Sequence, residues 1–243
     1  MIVSAKTDIG MKRSTNQDSF SYGQLENGNL TWAVVCDGMG GMAAGNVASA
    51  AAVEVIAGVL EQNLSPKSSP SFINNLLKSA IESANARIYD MALENEEMRG
   101  MGTTVVVVVI VKGVAYFAHA GDSRAYIYSN DKLSQITTDH SMVQTLLEKG
   151  QLTEDEAKNH PNKNIITRAL GVAPYIDIDF DECEVALSDT VLLCTDGLTN
   201  CIDDELIKLA SSDNDFVSLA ERLVELANQN GGNDNITVVA VKI

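Results

Sequence analysis

The sequence predicts layers of helices and strands packed around one sheet or a two-sheet sandwich, in a single domain. Two observations carry this expectation. Short valine-rich runs that stop at Asp-Gly or Gly-Asp read as buried strands entering turns, and two long segments with helical apolar spacing lie between the first such run and the rest. The order differs from the regular strand-helix alternation of a doubly wound sheet. At 243 residues, with a hydrophobic fraction of 45% and 21% charged residues, there is enough apolar surface for one sizeable core.

Taken in order, residues 32–36 form a buried strand ending at Asp37-Gly38. The alanine-rich segment 43–60 follows as a close-packing helix, with Pro66, Ser68, Ser69 and Pro70 as the loop after it. A second helix spans 73–93, where Ile73, Leu76, Leu77, Ile81, Ala84 and Ile88 share one face. Strands at 103–111, 114–120 and 125–128 are separated by Lys112-Gly113 and by residues 121–124, as antiparallel neighbours would be. A short helix is expected at 140–149 with Asp139 as N-cap, and Thr153 with Glu156 matches a capping box. Residues 148–164 are polar and hold no strand. Strands at 175–184 and 190–194, helices at 204–210 and 215–228, and a closing strand at 236–243 complete the chain. No repeat or splitting linker is visible.

Charge narrows the function classes. Seventeen basic against 33 acidic residues leave a formal charge of -16, which repels nucleic-acid backbones and anionic lipid surfaces at long range. Neither nucleic acid nor membrane is therefore an expected partner. Cys36, Cys183, Cys194 and Cys201 show no zinc-ligand spacing and read as buried free thiols in a reducing compartment. The N-terminal segment has no apolar h-region and the longest apolar run, 105–111, is too short to span a bilayer, so a cytoplasmic protein is expected.

Four aspartates recur at ends of apolar strands beside glycine or a small polar residue: Asp37 in VVCDGMGG, Asp122 in AHAGDSR, Asp196 in LLCTDGL and Asp234 in GGNDNIT. A single Asp-Gly is ordinarily a turn, because Asp bonds its own backbone and Gly accepts positive φ. Four at the ends of strands sharing a core would crowd carboxylates at one rim, where repulsion is severe unless cations lie between them. All-oxygen ligands select hard ions, Mg²⁺ or Mn²⁺. Such ions can activate a water against a phosphate ester. Arg13, close in sequence to Asp18, supplies a guanidinium fork for phosphate oxygens.

These residues fall in segments that resemble the metal-dependent protein phosphatases of the protein phosphatase 2C type, in their compact bacterial form. The segments are RSTNQD (13–18), DGMGG (37–41), MGTT (101–104), GDSR (121–124), TDHS (138–141), TRALG (167–171), LLCTDGL (192–198) and GGNDNIT (231–237), in family order over nearly the whole chain. The resemblance implies an α+β fold, a central β-sandwich of two antiparallel sheets flanked by helix pairs in four αββα layers, as one catalytic domain over residues 1–243 with a flap near 148–164. It implies hydrolysis of phosphoserine and phosphothreonine in proteins, with two or three Mn²⁺ or Mg²⁺ ions per chain. Asp37 would bridge two ions, the Gly38 carbonyl would join one of them, and Asp196 and Asp234 the other. Asp18 would act through water or from behind the direct ligands, Asp122 with Asp196 would hold a third ion, Arg13 would bind the substrate phosphate, and Asn235 would orient the site. Expected partners are phosphoproteins made by a serine/threonine kinase, met by a monomer. Met39 stands where many eukaryotic relatives carry a histidine proposed as general acid, so no side-chain general acid is assigned. His119 is expected to pack in or beside a strand, His140 to open a helix and His160 to lie in the flap. Two other readings fit the same residues: an inactive phosphopeptide-binding module, and a hydrolase of small phosphate compounds.

Overall fold

The computed structural model describes residues 1–25, 28–40, 44–158, 160–212 and 215–243. Gly41 of the DGMGG segment, Ala43 at the start of the first expected helix and Asn159 of the flap lie outside the described residues. In chain order the elements are β1 (Ile2–Asp8), β2 (Asp18–Leu25), β3 (Leu30–Met39), α1 (Ala44–Asn63), α2 (Pro70–Glu94), β4 (Gly102–Thr103), β5 (Val105–Val111), β6 (Val114–Ala120), β7 (Arg124–Ser129) and β8 (Lys132–Gln135). There follow α3 (Met142–Glu148), α4 (Glu154–Lys158), β9 (Asp179–Glu184), β10 (Thr190–Cys194), α5 (Asp196–Thr199), α6 (Asp204–Ser211), α7 (Leu219–Gln229) and β11 (Ile236–Lys242).

The strands form two antiparallel sheets, one ordered β1-β11-β10-β7-β8 and the other β2-β3-β5-β6-β9, with β4 paired to β3. Period-two alternation explains how one strand serves two cores. In β5, Val105, Val107, Val109 and Val111 face the helix layer, while Val106, Val108 and Ile110 face the other sheet. In β10, Val191 and Leu193 point between the sheets, and Leu192 and Cys194 point to the second helix layer. Both faces are covered, so these strands read as continuous apolar runs rather than alternating ones.

Helices α1 and α2 pack on each other and α1 on β2 and β3, while α7 covers β1 and β11. These are the four αββα layers. By length and composition α1 could cross a membrane, yet its Ala48, Ala52, Ile56 and Leu60 are fully buried in the core beside β3. Helix α2 starts earlier than its apolar face suggests. Pro70 is its first residue and Ser69 its N-cap, with the Phe72 N–H donating to Ser69 Oγ at 3.3 Å.

Other differences have local causes. Ser141, not Asp139, caps α3, accepting from the Gln144 N–H at 3.2 Å, because Asp139 is committed to Arg124. His140 therefore precedes that helix rather than opening it. Residues 175–178 are not in a strand, and β9 begins at Asp179 opposite His119. Helix α7 begins at Leu219. Cys183 and Cys201 are half-buried, while Cys36 and Cys194 are buried, and all four are free thiols. The Thr153 and Glu156 capping box forms, with the Thr153 N–H donating to Glu156 Oε2 at 2.9 Å.

Candidate active site

The register of β2 against β3 places Asp18 directly opposite Asp37. From the other sheet, Asp196 begins α5 just after β10, and Asp234 precedes β11. Asp122 follows β6 in the turn to β7. Five loops and strand ends from both sheets thus converge. A cleft of about 260 Å³ is lined by Arg13, Asp37, Asp122, Asp196, Asp234 and Asn235, among others. Gly38 also lines it, and a Cβ there would come 2.0 Å from the Gly45 carbonyl oxygen, so only glycine lets β3 pass the start of α1. A larger groove between α1 and α2, about 360 Å³, has Glu54 as its sole carboxylate lining.

Each carboxylate is aimed by its surroundings. Asp18 Oδ2 accepts from the hydroxyls of Thr195 (2.9 Å) and Thr237 (2.7 Å), which fixes the group between the sheets. Thr195 precedes α5 without capping it, because its hydroxyl is spent on Asp18. The Asp37 N–H donates to Thr104 Oγ1 at 2.9 Å, and that hydroxyl pairs with Ser123 at 2.7 Å in the turn that carries Asp122. Asp196 Oδ2 accepts from Asn200 Nδ2 at 2.9 Å. Asp234 Oδ1 accepts from the Asn235 N–H (2.8 Å) and Oδ2 from Arg13 Nη2 (2.7 Å).

Asn235 organises the Arg13 loop. Its Nδ2 donates to the carbonyls of Ile9 (2.9 Å) and Thr15 (3.0 Å), and its Oδ1 accepts from the Gln17 N–H (2.8 Å).

The electrostatics are those of a site short of positive charge. Burial first, and then neighbouring aspartates, push the carboxyl of Asp18 up to about 7 against the favourable Thr237 and Thr195 bonds. Burial and then Asp196 and Asp139 push Asp122 up to about 8. Asp196 rises to about 6 through burial and Asp234, and Asp37 rises well above the usual range through burial and the charges of Asp18, Asp196, Asp122 and Asp234. Arg13 is raised by its bond to Asp234. Asp18 Oδ1 and Asp196 Oδ1 are buried without a hydrogen-bond partner. Orphaned carboxylate oxygens in an all-oxygen donor set fit hard divalent cations, which would supply the missing charge and the missing contacts.

The family profile described as Protein phosphatase 2C matches residues 11–239. The chain belongs to the protein phosphatase 2C family. It is 38% identical to protein phosphatase PhpP of Streptococcus pneumoniae over 100% of this chain and 98% of that protein. The Streptococcus agalactiae serine/threonine phosphatase superposes with a TM-score of 0.92 at 36% identity, covering 100% of this chain and 99% of that one. The catalytic domain of serine threonine protein phosphatase PstP, in a structure with two manganese ions, superposes with a TM-score of 0.87 at 32% identity, covering 99% and 97%.

Within this protein phosphatase 2C fold, the eight residues singled out in the sequence (Arg13, Asp18, Asp37, Gly38, Asp122, Asp196, Asp234 and Asn235) gather at or directly behind one cleft. Sequence reasoning missed the hydroxyls of Thr104, Thr195 and Thr237, and also Asn164 and Ile166, which line the wall nearest the flap. Threonine at a strand end is too common to carry a signal. A second cluster, His119, His140 and Asp179, brings three donor atoms within 4.8 Å of one another.

Proposed function

We propose that the chain hydrolyses phosphoserine and phosphothreonine in proteins at the cleft between its two sheets, with two or three Mn²⁺ or Mg²⁺ ions held by its aspartates. The activity class, protein-serine/threonine phosphatase, follows from the family and from full-length relatives carrying that function. The observation that supports the site-level reading is the convergence of four aspartates and one arginine on a single cleft with Asp18 directly behind it, the carboxyls of Asp18, Asp37, Asp122 and Asp196 being raised by burial and by their neighbours' charges.

In this reading Asp37 would be the residue shared by two ions, the Gly38 carbonyl would help hold one, and Asp196 and Asp234 would help hold the other. Asp18, fixed by Thr195 and Thr237, would act through water or by supporting the direct ligands from behind, and Asp122 with Asp196 would hold a third. Bound cations would neutralise the carboxylates and make a water acidic enough to attack phosphorus. Arg13 lies 2.7 Å from Asp234 and half-exposed, so its remaining donors are free to grip two phosphoryl oxygens and orient the ester for in-line attack. Asn235 holds that loop in register with the aspartates. Met39 lines the cleft and offers no proton, so no side-chain general acid is assigned to the leaving alkoxide.

We assign the whole of residues 1–243 to one catalytic domain acting as a monomer in the cytoplasm on the products of a serine/threonine kinase. The net charge of -16 supports protein rather than nucleic-acid or membrane partners.

Turnover of a phosphothreonine peptide is expected to require Mn²⁺ or Mg²⁺ and to exceed that of nucleotides. Asp37→Asn should lower it at least about a thousandfold, beyond the loss of a single stabilising donor. Activity that survives chelation, or an Asp37→Asn variant with near-normal rate, would place the chemistry elsewhere. Peptide binding without turnover would favour the inactive-module reading.

A further inference from the structure

We infer that His140 is a positioning residue that latches the turn carrying Asp122, and that the cluster of His119, His140 and Asp179 serves this latch rather than a metal ion. The inference rests on the placement of Asp122 in the catalytic cleft.

His140 grips Gly121 at both of its backbone groups. The His140 N–H donates to the Gly121 carbonyl at 2.9 Å, and the Gly121 N–H donates to His140 Nδ1 at 3.1 Å. Asp122 is the next residue. Gly121 has φ of +119°, and a Cβ there would lie 2.6 Å from Thr104, so the turn depends on a conformation that only glycine holds easily. On its other side, the His140 carbonyl accepts from the Thr167 N–H at 2.8 Å, and Ser141 pairs with Ile166. Ile166 lines the cleft. His140, with Ser141 beside it, thus ties the Asp122 turn to the segment that brings Ile166 into the cleft lining.

Hydrogen-bond bookkeeping fixes the tautomer. Because the Gly121 amide can only donate, Nδ1 is the acceptor and the neutral ring carries its proton on Nε2, which donates to Asp179 Oδ2 at 3.0 Å; the approach of Arg168 Nη1 to Nε2 at 3.1 Å is then a contact between two donors that share Asp179. Asp179 is held as an anion by Arg168, whose Nη1 donates to Oδ1 at 2.6 Å. The ring plane is set by stacking on His119, with centroids 4.6 Å apart and planes 10° from parallel. His119 in turn is anchored by Nε2 on the Thr138 carbonyl at 2.9 Å.

The same arrangement argues against an ion at these three residues. Lone pairs of two nearly parallel stacked rings lie in separate planes and do not converge. An ion at His140 Nε2 would also have to displace that nitrogen's proton and compete for Asp179 with Arg168, whose guanidinium already supplies the positive charge there. The unpartnered Nδ1 of His119 alone makes no site.

Two substitutions separate the roles of the two ring nitrogens. His140→Asn places an acceptor oxygen near the position of Nδ1, whereas His140→Gln reaches toward Asp179 and offers Gly121 nothing. The proposal expects His140→Asn to keep the Gly121 amide protected from hydrogen exchange, relative to the amide of Val108 in β5, and to keep turnover within about threefold. His140→Gln should expose that amide and lower turnover about tenfold or more, the usual range for a residue that orients a ligand, with half-saturation moved to higher Mn²⁺. In an Asp122→Ala background, His140→Gln should cost nothing further. Equal behaviour of the two variants, or a Gly121 amide still protected in His140→Gln, would overturn the latch. So would the loss of one bound Mn²⁺ in both variants by calorimetric titration, which would make the cluster a metal site. Full turnover by Asp122→Ala would instead overturn the role of Asp122, and the Gly121 exchange result would distinguish that failure from failure of the latch.

Discussion

Asp122 and Asp139 lie on neighbouring loops, yet their electrostatic circumstances are opposite. Asp139 receives a forked pair of bonds from Arg124, Nε to Oδ1 at 2.9 Å and Nη2 to Oδ2 at 2.7 Å, with Gln135 adding another at 3.1 Å. Asp179 is similarly matched to Arg168 and His140. Asp122 sits two residues before Arg124 and gains only a weak lowering from it, outweighed by burial and by Asp196 and Asp139. Arg124 and Arg168 are thus committed to the scaffold around the cleft, and apart from Asp234, which meets Arg13, the cleft carboxylates are left to repel one another. Paired carboxylates hold loops in place, and unpaired ones create a demand that a divalent cation can satisfy.

The sharpest test of the scaffold half is Arg124→Ala. Removing one partner from this largely buried pair should cost about 3 kcal/mol and lower the melting temperature by about 6–12 °C for a chain of this size. A change under 1 °C would show that Asp139 is no more dependent on its partner than the cleft aspartates are.

The cleft half predicts the opposite sign in protein treated with chelator. Asp196, Asp18 and Asp122 have folded pKa values of about 6, 7 and 8, above the unfolded value of 3.8. The native state therefore binds protons more tightly than the unfolded chain between these limits. The resulting stability is complete below about 3.8 and is lost as pH rises through 6 to 8. Asp122→Asn should raise the chelated protein's melting temperature at pH 8 by about 2–4 °C, equivalent to ~1 kcal/mol, and leave it unchanged at pH 4. A destabilised Asp122→Asn at pH 8 would mean that this carboxylate is structural.

Arg13 stands between the two classes, a cation in the cleft resting on Asp234. Arg13→Ala should raise KM about tenfold through loss of charged hydrogen bonds to phosphate, with the number of bound Mn²⁺ ions unchanged by calorimetry. Because Arg13 is half-exposed, its stability cost should stay within about 1 kcal/mol by thermal melting.

Much of the site was legible because its residues sit at strand ends flagged by glycine. Asp37, Asp122, Asp196 and Asp234 could be found that way, and β6 was legible residue for residue as Val114–Ala120. The strands that escaped notice, β1, β2 and β8, are those with polar or half-exposed faces. Asp18 to Leu25, for example, contains two serines, a glycine and a glutamine and alternates in burial only weakly. The cap of α3 was misplaced because Asp139 and Ser141 are both good N-caps in isolation. Only the fold brings Arg124 to the former. His140 illustrates the same limit: its partners Gly121, Thr167 and Asp179 come from three distant segments, and no local spacing announces them.

The hydroxyls of Thr195 and Thr237 reach across from one sheet to Asp18 on the other, beside the pair formed by Asp18 and Asp37. An ion shared between Asp37 and Asp196 at this seam would work as a staple, closing a loop on the order of 160 residues much as a disulfide does, in a form that a change in divalent supply can open. Persistence of the protein and its capacity to remove phosphate would then answer to a single variable. Starved of cations, the sandwich would be the easier target for a protease, so limited proteolysis with and without Mn²⁺ would read the state of the staple even where no phosphorylated substrate is at hand.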